Sequence, residues 1–154
     1  MTTESCLFEA NRNPSFTRAR YEAFLREVFG AKSFVWIKEG LLNDHTDGHI
    51  DTIARFVPGG RVVCMQARRD DDPNAEVMDA IAATLAESRD ATGSPFEIVR
   101  LPSPGVHLDR DGEILAATYC NFYIANRAVL VPTYGVPEDE EALATLRLLF
   151  PERK

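Results

Sequence analysis

The hairpin predicted around residues 58–60 restricts the fold of this chain more than any other feature. The turn sequence Pro58-Gly59-Gly60 separates two apolar runs, 50–57 and 61–66, that are rich in β-branched residues. A helix that begins near Pro73 and a strand over 96–101 come next. Hairpin, helix and strand in this order form a ββαβ unit, so the sequence predicts an α/β fold built from such units.

Parts of the same pattern lie on both sides of this unit. On the amino-terminal side, Thr17 and Gly30 mark the beginning and the end of a helix predicted over 18–29. On the carboxyl-terminal side, a second hairpin over 114–131 precedes a last helix that begins at Pro137. We therefore divide the single predicted domain, residues 1–154, into the end of one module at about 1–40, one complete module at 41–101, and the start of another at 112–150.

Ionisable side chains are concentrated immediately before the first predicted strand of the hairpin. His49 and Asp51 are separated by one residue, and Asp47 lies just upstream. If the strand begins at Ile50, residues two apart point to the same face, so His49 and Asp51 would lie side by side. A loop that enters a strand holds such side chains rigidly, as a binding or catalytic site requires.

This pair suits proton transfer and the binding of a flat cation. Histidine is the side chain that titrates near neutrality, so His49 can take up and return a proton in one catalytic cycle. The carboxylate of Asp51 can accept two parallel N–H bonds from a guanidinium group, and Asp47 is a second candidate for that contact. Two other interpretations remain open: the acids only form a turn, or His and Asp ligate a metal, although no second pair of ligands at metal spacing occurs elsewhere.

Three sequence blocks resemble one family of guanidine-modifying enzymes. Residues 46–51 (TDGHID), preceded by VWI and followed by ARFV, resemble the corresponding part of the agmatine deiminase and Porphyromonas-type peptidyl-arginine deiminase family. The ESCL and NRNP segments within 4–14, and YCNFYIAN at 119–126, resemble two further family blocks in the same order. In the NRNP block, Arg12 is expected to anchor a loop. The combination is specific, whereas a His-x-Asp pair alone is a weak signal.

The resemblance implies a pentein fold, in which ββαβ modules surround a central channel as an α/β propeller, and this chain would form an incomplete ring. It also implies hydrolysis of a guanidine such as agmatine to N-carbamoylputrescine and ammonia, with no cofactor and no metal. In that reaction a cysteine thiolate attacks the guanidinium carbon. By resemblance, His49 is the catalytic proton shuttle, Asp51 binds the substrate, and Asp47 is a further substrate-binding candidate.

The nucleophilic cysteine of the family lies in a G-G-N-x-H-C segment that this sequence does not contain. Neither Cys6, Cys64 nor Cys120 is expected to replace it. We therefore expect the middle portion of a deiminase, inactive by itself, whose partners are a small guanidine and either a complementary deiminase fragment or a second copy of the chain. The alternative is a non-catalytic remnant that acts as a binding or assembly module.

Charge and hydropathy argue against two classes of partner. The net charge of −7 at pH 7 is opposite to that of a nucleic-acid-binding surface, which must be basic. No apolar run is long enough to span a bilayer, and the first residues, MTTESC, lack the features of a signal peptide. Three cysteines without framework spacing fit a reducing compartment, so we expect a cytoplasmic protein.

Overall fold

The protein has a mixed α/β structure, described by a computed structural model that covers residues 1–154. Seven strands and five helices follow one another along the chain. In order they are β1 (Thr2–Thr3), α1 (Glu4–Leu7), α2 (Arg18–Phe29), β2 (Trp36–Ile37), α3 (Ile50–Ile53), β3 (Ala54–Val57), β4 (Arg61–Gln66), α4 (Ala75–Glu87), β5 (Glu97–Pro102), β6 (Tyr123–Ile124), β7 (Val129–Leu130) and α5 (Glu138–Leu149).

A three-stranded sheet with the order β3-β4-β5 lies at the centre. β3 runs antiparallel to β4, with Ala54 opposite Cys64, and β4 runs parallel to β5, with Val63 opposite Val99. The other two sheets are small: β1 pairs with β2 in parallel, and β6 pairs with β7 antiparallel. The predicted α/β class and the order hairpin, helix, strand are therefore confirmed, and none of the three sheets closes into a ring.

The core lies where α4 and α5 pack against the central sheet. Val62, Val63 and Cys64 of β4 are completely buried, since α4 packs against this strand and β3 and β5 flank it. α4 contributes Met78, Ile81 and Leu85 to this core. The predicted stripe of α4 is thus confirmed at Ile81 and Leu85, whereas Val77 is only half-buried. Burial of each such side chain stabilises the fold by roughly 1.5–3 kcal/mol.

The bounds of α2 agree with the prediction at both ends. The Thr17 hydroxyl accepts a hydrogen bond from the backbone N–H of Arg20 at 3.3 Å, which satisfies a free donor of the first turn. Gly30 ends the helix with φ +64°, a left-handed conformation that glycine adopts without strain. Tyr21 is the buried residue of this helix, while Phe29 is 72% exposed, so the outer apolar side chains of α2 are not covered within this chain.

The prediction that a strand begins at Ile50 is wrong. Residues Ile50–Ile53 form one helical turn, and β3 begins only at Ala54. The reason is local: the His49 carbonyl accepts hydrogen bonds from Thr52 N at 3.2 Å and from Thr52 Oγ1 at 2.6 Å, which closes a turn. The alternation of side chains along a strand therefore does not apply to His49 and Asp51, and their relation depends on the turn.

The second hairpin is shorter than predicted. Its paired strands are only Tyr123–Ile124 and Val129–Leu130, because residues upstream find other hydrogen-bond partners. The backbone N–H of Thr118 donates to the Tyr134 hydroxyl at 2.8 Å, and the Tyr134 hydroxyl donates to the Thr118 carbonyl at 2.9 Å. At Thr118, hydrogen bonds between a side chain and the backbone thus replace the ladder that the apolar pattern predicted. Further upstream, Leu115 N donates to the His107 carbonyl at 2.8 Å instead of to the other strand.

The carboxylate of Asp139 organises the start of α5. It accepts hydrogen bonds from the Tyr119 hydroxyl at 2.6 Å and from the backbone N–H groups of Tyr134, Gly135 and Val136. Burial acts to raise the pKa of Asp139, but these hydrogen bonds outweigh it and hold the pKa below the ordinary value of 3.8.

We expect Asp139→Asn to lower the free energy of unfolding by about 2 kcal/mol at pH 7, because an amide is a weaker acceptor for these donors. The folded pKa of Asp139 lies below its unfolded value, so its stabilising effect is present above about pH 4 and is lost as pH falls through the folded value. Urea unfolding at pH 7 and at pH 3 measures both effects. Between pH 7 and pH 3 the Asp139→Asn variant should lose less stability than the wild type. Asp70→Asn, at an exposed site, is the control and should behave like the wild type.

Candidate active site

The loop over residues 41–49 is held in place by the close approach of two glycines. A Cβ atom on Gly48 would lie 2.8 Å from Ser5 Oγ and 2.9 Å from Gly40 N, so no larger residue fits. Thr3 Oγ1 donates a hydrogen bond of 2.6 Å to the Gly48 carbonyl, which ties this loop to β1. His49 follows directly, and its backbone position is therefore set by contacts made across the chain.

Asp44 stabilises the same loop from within. Its Oδ1 accepts hydrogen bonds from Thr46 N at 2.9 Å and from Thr46 Oγ1 at 2.6 Å. Its Oδ2 lies 3.0 Å from Thr52 Oγ1, whose single proton it shares with the His49 carbonyl. Burial acts to raise the pKa of Asp44, but the hydrogen bonds from Thr46 and Thr52 outweigh it and lower that pKa. Asp44 is therefore an ionised carboxylate whose acceptors are used by the loop itself.

His49 occupies the position before the first residue of α3, and its ring is half-buried. Its backbone N–H donates to Thr46 Oγ1 at 3.3 Å, and its carbonyl accepts the two hydrogen bonds from Thr52. The backbone is thus fixed on both sides of the Cα atom. On the ring, Nε2 lies 3.4 Å from a guanidinium nitrogen of Arg12.

The same nitrogen of Arg12 contacts the loop at two more places. It donates to the Thr46 carbonyl at 3.1 Å and to Asp47 Oδ2 at 3.2 Å. Arg12 therefore anchors the loop, as the sequence led us to expect, and the Asp47 carboxylate is already engaged with a guanidinium. The contact between Arg12 and His49 was not predicted, because 37 residues separate them in sequence.

Asp51 differs from the other two acids of this segment. It lies in the first turn of α3, its side chain is half-buried, and its carboxylate makes no hydrogen bond or ion pair within the chain. Asp44 and Asp47 are used for loop structure, whereas the acceptors of Asp51 are available to a ligand.

The three thiols are all buried. Burial raises the pKa of Cys64 to about 11 and that of Cys120 to about 12, and it also raises the pKa of Cys6. A thiol with a raised pKa is a poor nucleophile at neutral pH, since the thiolate is the reactive form. The other two histidines make no contact with His49: His45 is exposed, and His107 contacts the Pro104 carbonyl and the ring of Tyr134.

Neither a cluster of metal ligands nor a helix suited to crossing a membrane occurs in the structure. No group of three or more His, Cys, Asp or Glu side chains is arranged to hold a metal ion. None of the helices combines the length and the apolar character that crossing a membrane requires.

Comparison with known proteins gives one consistent family. The family model described as Porphyromonas-type peptidyl-arginine deiminase matches residues 1–154. The agmatine deiminase of Stutzerimonas stutzeri (strain A1501) is 40% identical over 99% of this chain and 46% of that protein. The structure of agmatine deiminase of Enterococcus faecalis is 27% identical, with a TM-score of 0.90 over 99% of this chain and 46% of that one. The C. jejuni C315S agmatine deiminase with substrate bound is 30% identical, with a TM-score of 0.88 over 99% of this chain and 44% of that one.

The fold therefore places the chain in the class of α/β deiminases, because its backbone superposes on deiminase structures over almost its whole length. The chain spans about half the length of the curated relatives that it matches. It belongs to the Porphyromonas-type peptidyl-arginine deiminase family, and its curated relatives are named agmatine deiminase.

Proposed function

We propose that this chain supplies the histidine and aspartate side of a guanidine-hydrolysing site. The substrate is a small guanidine, with agmatine as the first to test, because the relatives carry the name agmatine deiminase. The products are the corresponding ureide, here N-carbamoylputrescine, and ammonia. The thiolate that attacks the guanidinium carbon comes from outside the described residues, since Cys6, Cys64 and Cys120 are buried thiols with raised pKa values.

The availability of Asp51 is the observation that carries this proposal. Of the acids at 44, 47 and 51, Asp51 has no partner within the chain. A carboxylate in this state can accept paired N–H bonds from a guanidinium, and such charge-assisted bonds are stronger than neutral ones. We therefore assign the substrate guanidinium to Asp51 rather than to Asp47, whose carboxylate binds Arg12.

His49 is the proton-transfer group in this proposal. Its backbone is fixed by Thr46 and Thr52, and its ring is half-buried at the edge of the loop. Formation of the ureide requires that ammonia leaves with an added proton and that water gives one up. One imidazole can perform both transfers in sequence, because a ring nitrogen can donate a proton in the first step and accept one in the second.

A second candidate function is supported by the exposed apolar surface. Phe29 is 72% exposed, Tyr123 is 67% exposed and Leu148 is 80% exposed, on three different elements. In a propeller of ββαβ modules, such faces would be covered by neighbouring modules, either of a complementary deiminase fragment or of a second copy. A chain that associates with such a partner but releases no ammonia from agmatine in its presence would be an assembly module and not part of an enzyme.

Binding of agmatine to the chain tests the assignment of Asp51. We expect Asp51→Asn to raise the Kd for agmatine at least about tenfold, because a charge-assisted hydrogen bond contributes roughly 1.5–3 kcal/mol. Nuclear magnetic resonance titration, followed at the backbone N–H of His49, measures weak binding directly.

The matched control is Asp47→Asn, which removes the same charge four residues upstream. Because Asp47 is already paired with Arg12, this variant should change the Kd for agmatine by less than about threefold. If Asp47→Asn weakened binding as much as Asp51→Asn, the guanidinium would not be held by Asp51 in particular, and the assignment would be withdrawn.

A further inference from the structure

A guanidinium that belongs to the protein itself lies against the proposed proton-transfer group. The Nη2 atom of Arg12 lies 3.4 Å from Nε2 of His49, 3.2 Å from Asp47 Oδ2 and 3.1 Å from the Thr46 carbonyl oxygen. The last two contacts hold Arg12 in place independently of the histidine. Arg12 also comes from a separate segment of the chain, so the contact is a tertiary one.

The chemistry of the two groups permits only one arrangement of protons. A guanidinium has N–H donors and no acceptor, and it stays protonated in proteins. Nη2 has two N–H groups for three acceptors, so the N–H that faces Nε2 is shared with Thr46 or Asp47. A proton on Nε2 would still face a donor, so Nε2 of His49 is the acceptor in this contact and carries no proton. In a neutral imidazole the proton then lies on Nδ1.

We propose that Arg12 is a positioning residue that selects the Nδ1–H tautomer of His49 and holds the unprotonated Nε2 against its own guanidinium. This inference rests on the proposed role of His49, and it names Nε2 as the ring atom that accepts the proton during guanidine hydrolysis, in exchange for its hydrogen bond with Arg12. Asp47 takes part by holding Arg12, which gives this carboxylate a role other than direct contact with the substrate. A protonated Nε2 would place two donors face to face, so proton uptake at Nε2 ends the contact with Arg12.

The tautomer of His49 can be observed in the 154-residue chain without any substrate. Long-range hydrogen–nitrogen correlation spectra of nitrogen-15-labelled protein, recorded above the titration range of histidine, distinguish a protonated from an unprotonated ring nitrogen. The signals that disappear from the spectrum of the His49→Gln variant are those of His49, which distinguishes them from the signals of His45 and His107. We expect Nδ1 of His49 to have the shift of a protonated nitrogen, and Nε2 that of an unprotonated one.

Arg12→Met removes the donor and should move the His49 ring towards the Nε2–H form, so that the two nitrogen shifts exchange character. The control is Arg26→Met. Arg26 lies on α2 and, like Arg12, is exposed and ion-paired, so its replacement should leave the His49 shifts unchanged. A wild-type ring with Nε2–H, or an Arg12→Met ring that keeps Nδ1–H, would overturn the proposal.

If Arg12→Met does not fold, the wild-type spectrum decides, because the Nε2–H form is incompatible with the contact. The measurement involves no turnover and no agmatine. Its outcome is therefore separate from that of the binding and activity experiments, which test whether His49 and Asp51 serve a guanidine at all.

Discussion

Replacing Gly48 with alanine should lower the free energy of unfolding by about 3 kcal/mol, because the added methyl group has no space. The Cβ atom would lie 2.9 Å from Gly40 N and 3.0 Å from Gly40 Cα, and backbone atoms cannot rotate away as a side chain can. The φ of +81° adds to the cost, since alanine is strained in this left-handed conformation. Urea unfolding followed by circular dichroism measures the loss.

Gly60→Ala separates the steric effect from the conformational one. Gly60 has a similar φ of +71°, but an added Cβ there would meet nothing within 4 Å. We expect this variant to lose only about 1 kcal/mol, the conformational part alone. Equal losses in the two variants would mean that the approach of Gly40 and Gly48 does not constrain the loop that carries His49.

His49→Ala should lower the rate of agmatine hydrolysis at least about 100-fold, the usual effect of removing a general acid–base group. Because the chain corresponds to 46% of the Stutzerimonas stutzeri relative, the test uses this chain supplied with the remaining segments of that protein. Release of ammonia by the assembled wild type sets the reference rate. The loss should appear in kcat, while the Kd for agmatine changes little, because Asp51 holds the guanidinium.

His45→Ala is the matched control for this experiment. His45 lies in the same loop, is exposed, and makes no side-chain hydrogen bond. Its replacement should leave the rate of ammonia release within about twofold of the wild type. Full activity in the assembled His49→Ala protein would end the assignment of His49 as the proton-transfer group.

Local signals in the sequence predicted most of the secondary structure correctly. The end residues Thr17 and Gly30 defined α2, and the turn sequence at 58–60 defined β4 with its observed bounds. These predictions succeed because capping and turn formation depend on residues only a few positions apart. The stripe of α4 was predicted at Ile81 and Leu85 for the same reason, since helical periodicity is also local.

The incorrect prediction that a strand begins at Ile50 is also explained by a local interaction. Residues 50–53 have the β-branched composition of a strand, but Thr52 can also bond to the backbone three residues earlier. That hydrogen bond competes with strand pairing, and here it closes a helical turn instead. Composition alone does not decide between the two, because their free energies depend on whether a partner strand is within reach.

The sequence by itself determined the α/β class, the ββαβ order and the family, and it predicted the segment that carries the candidate site. Only the tertiary structure decided how two acids of that segment are used: Asp47 binds Arg12, which is 35 residues away, and Asp51 has no partner. Placement of Arg12 against His49 was also decided at this level. The physical reason is that hydrogen-bond partners separated by tens of residues meet only through the packing of the whole chain, which no local pattern encodes.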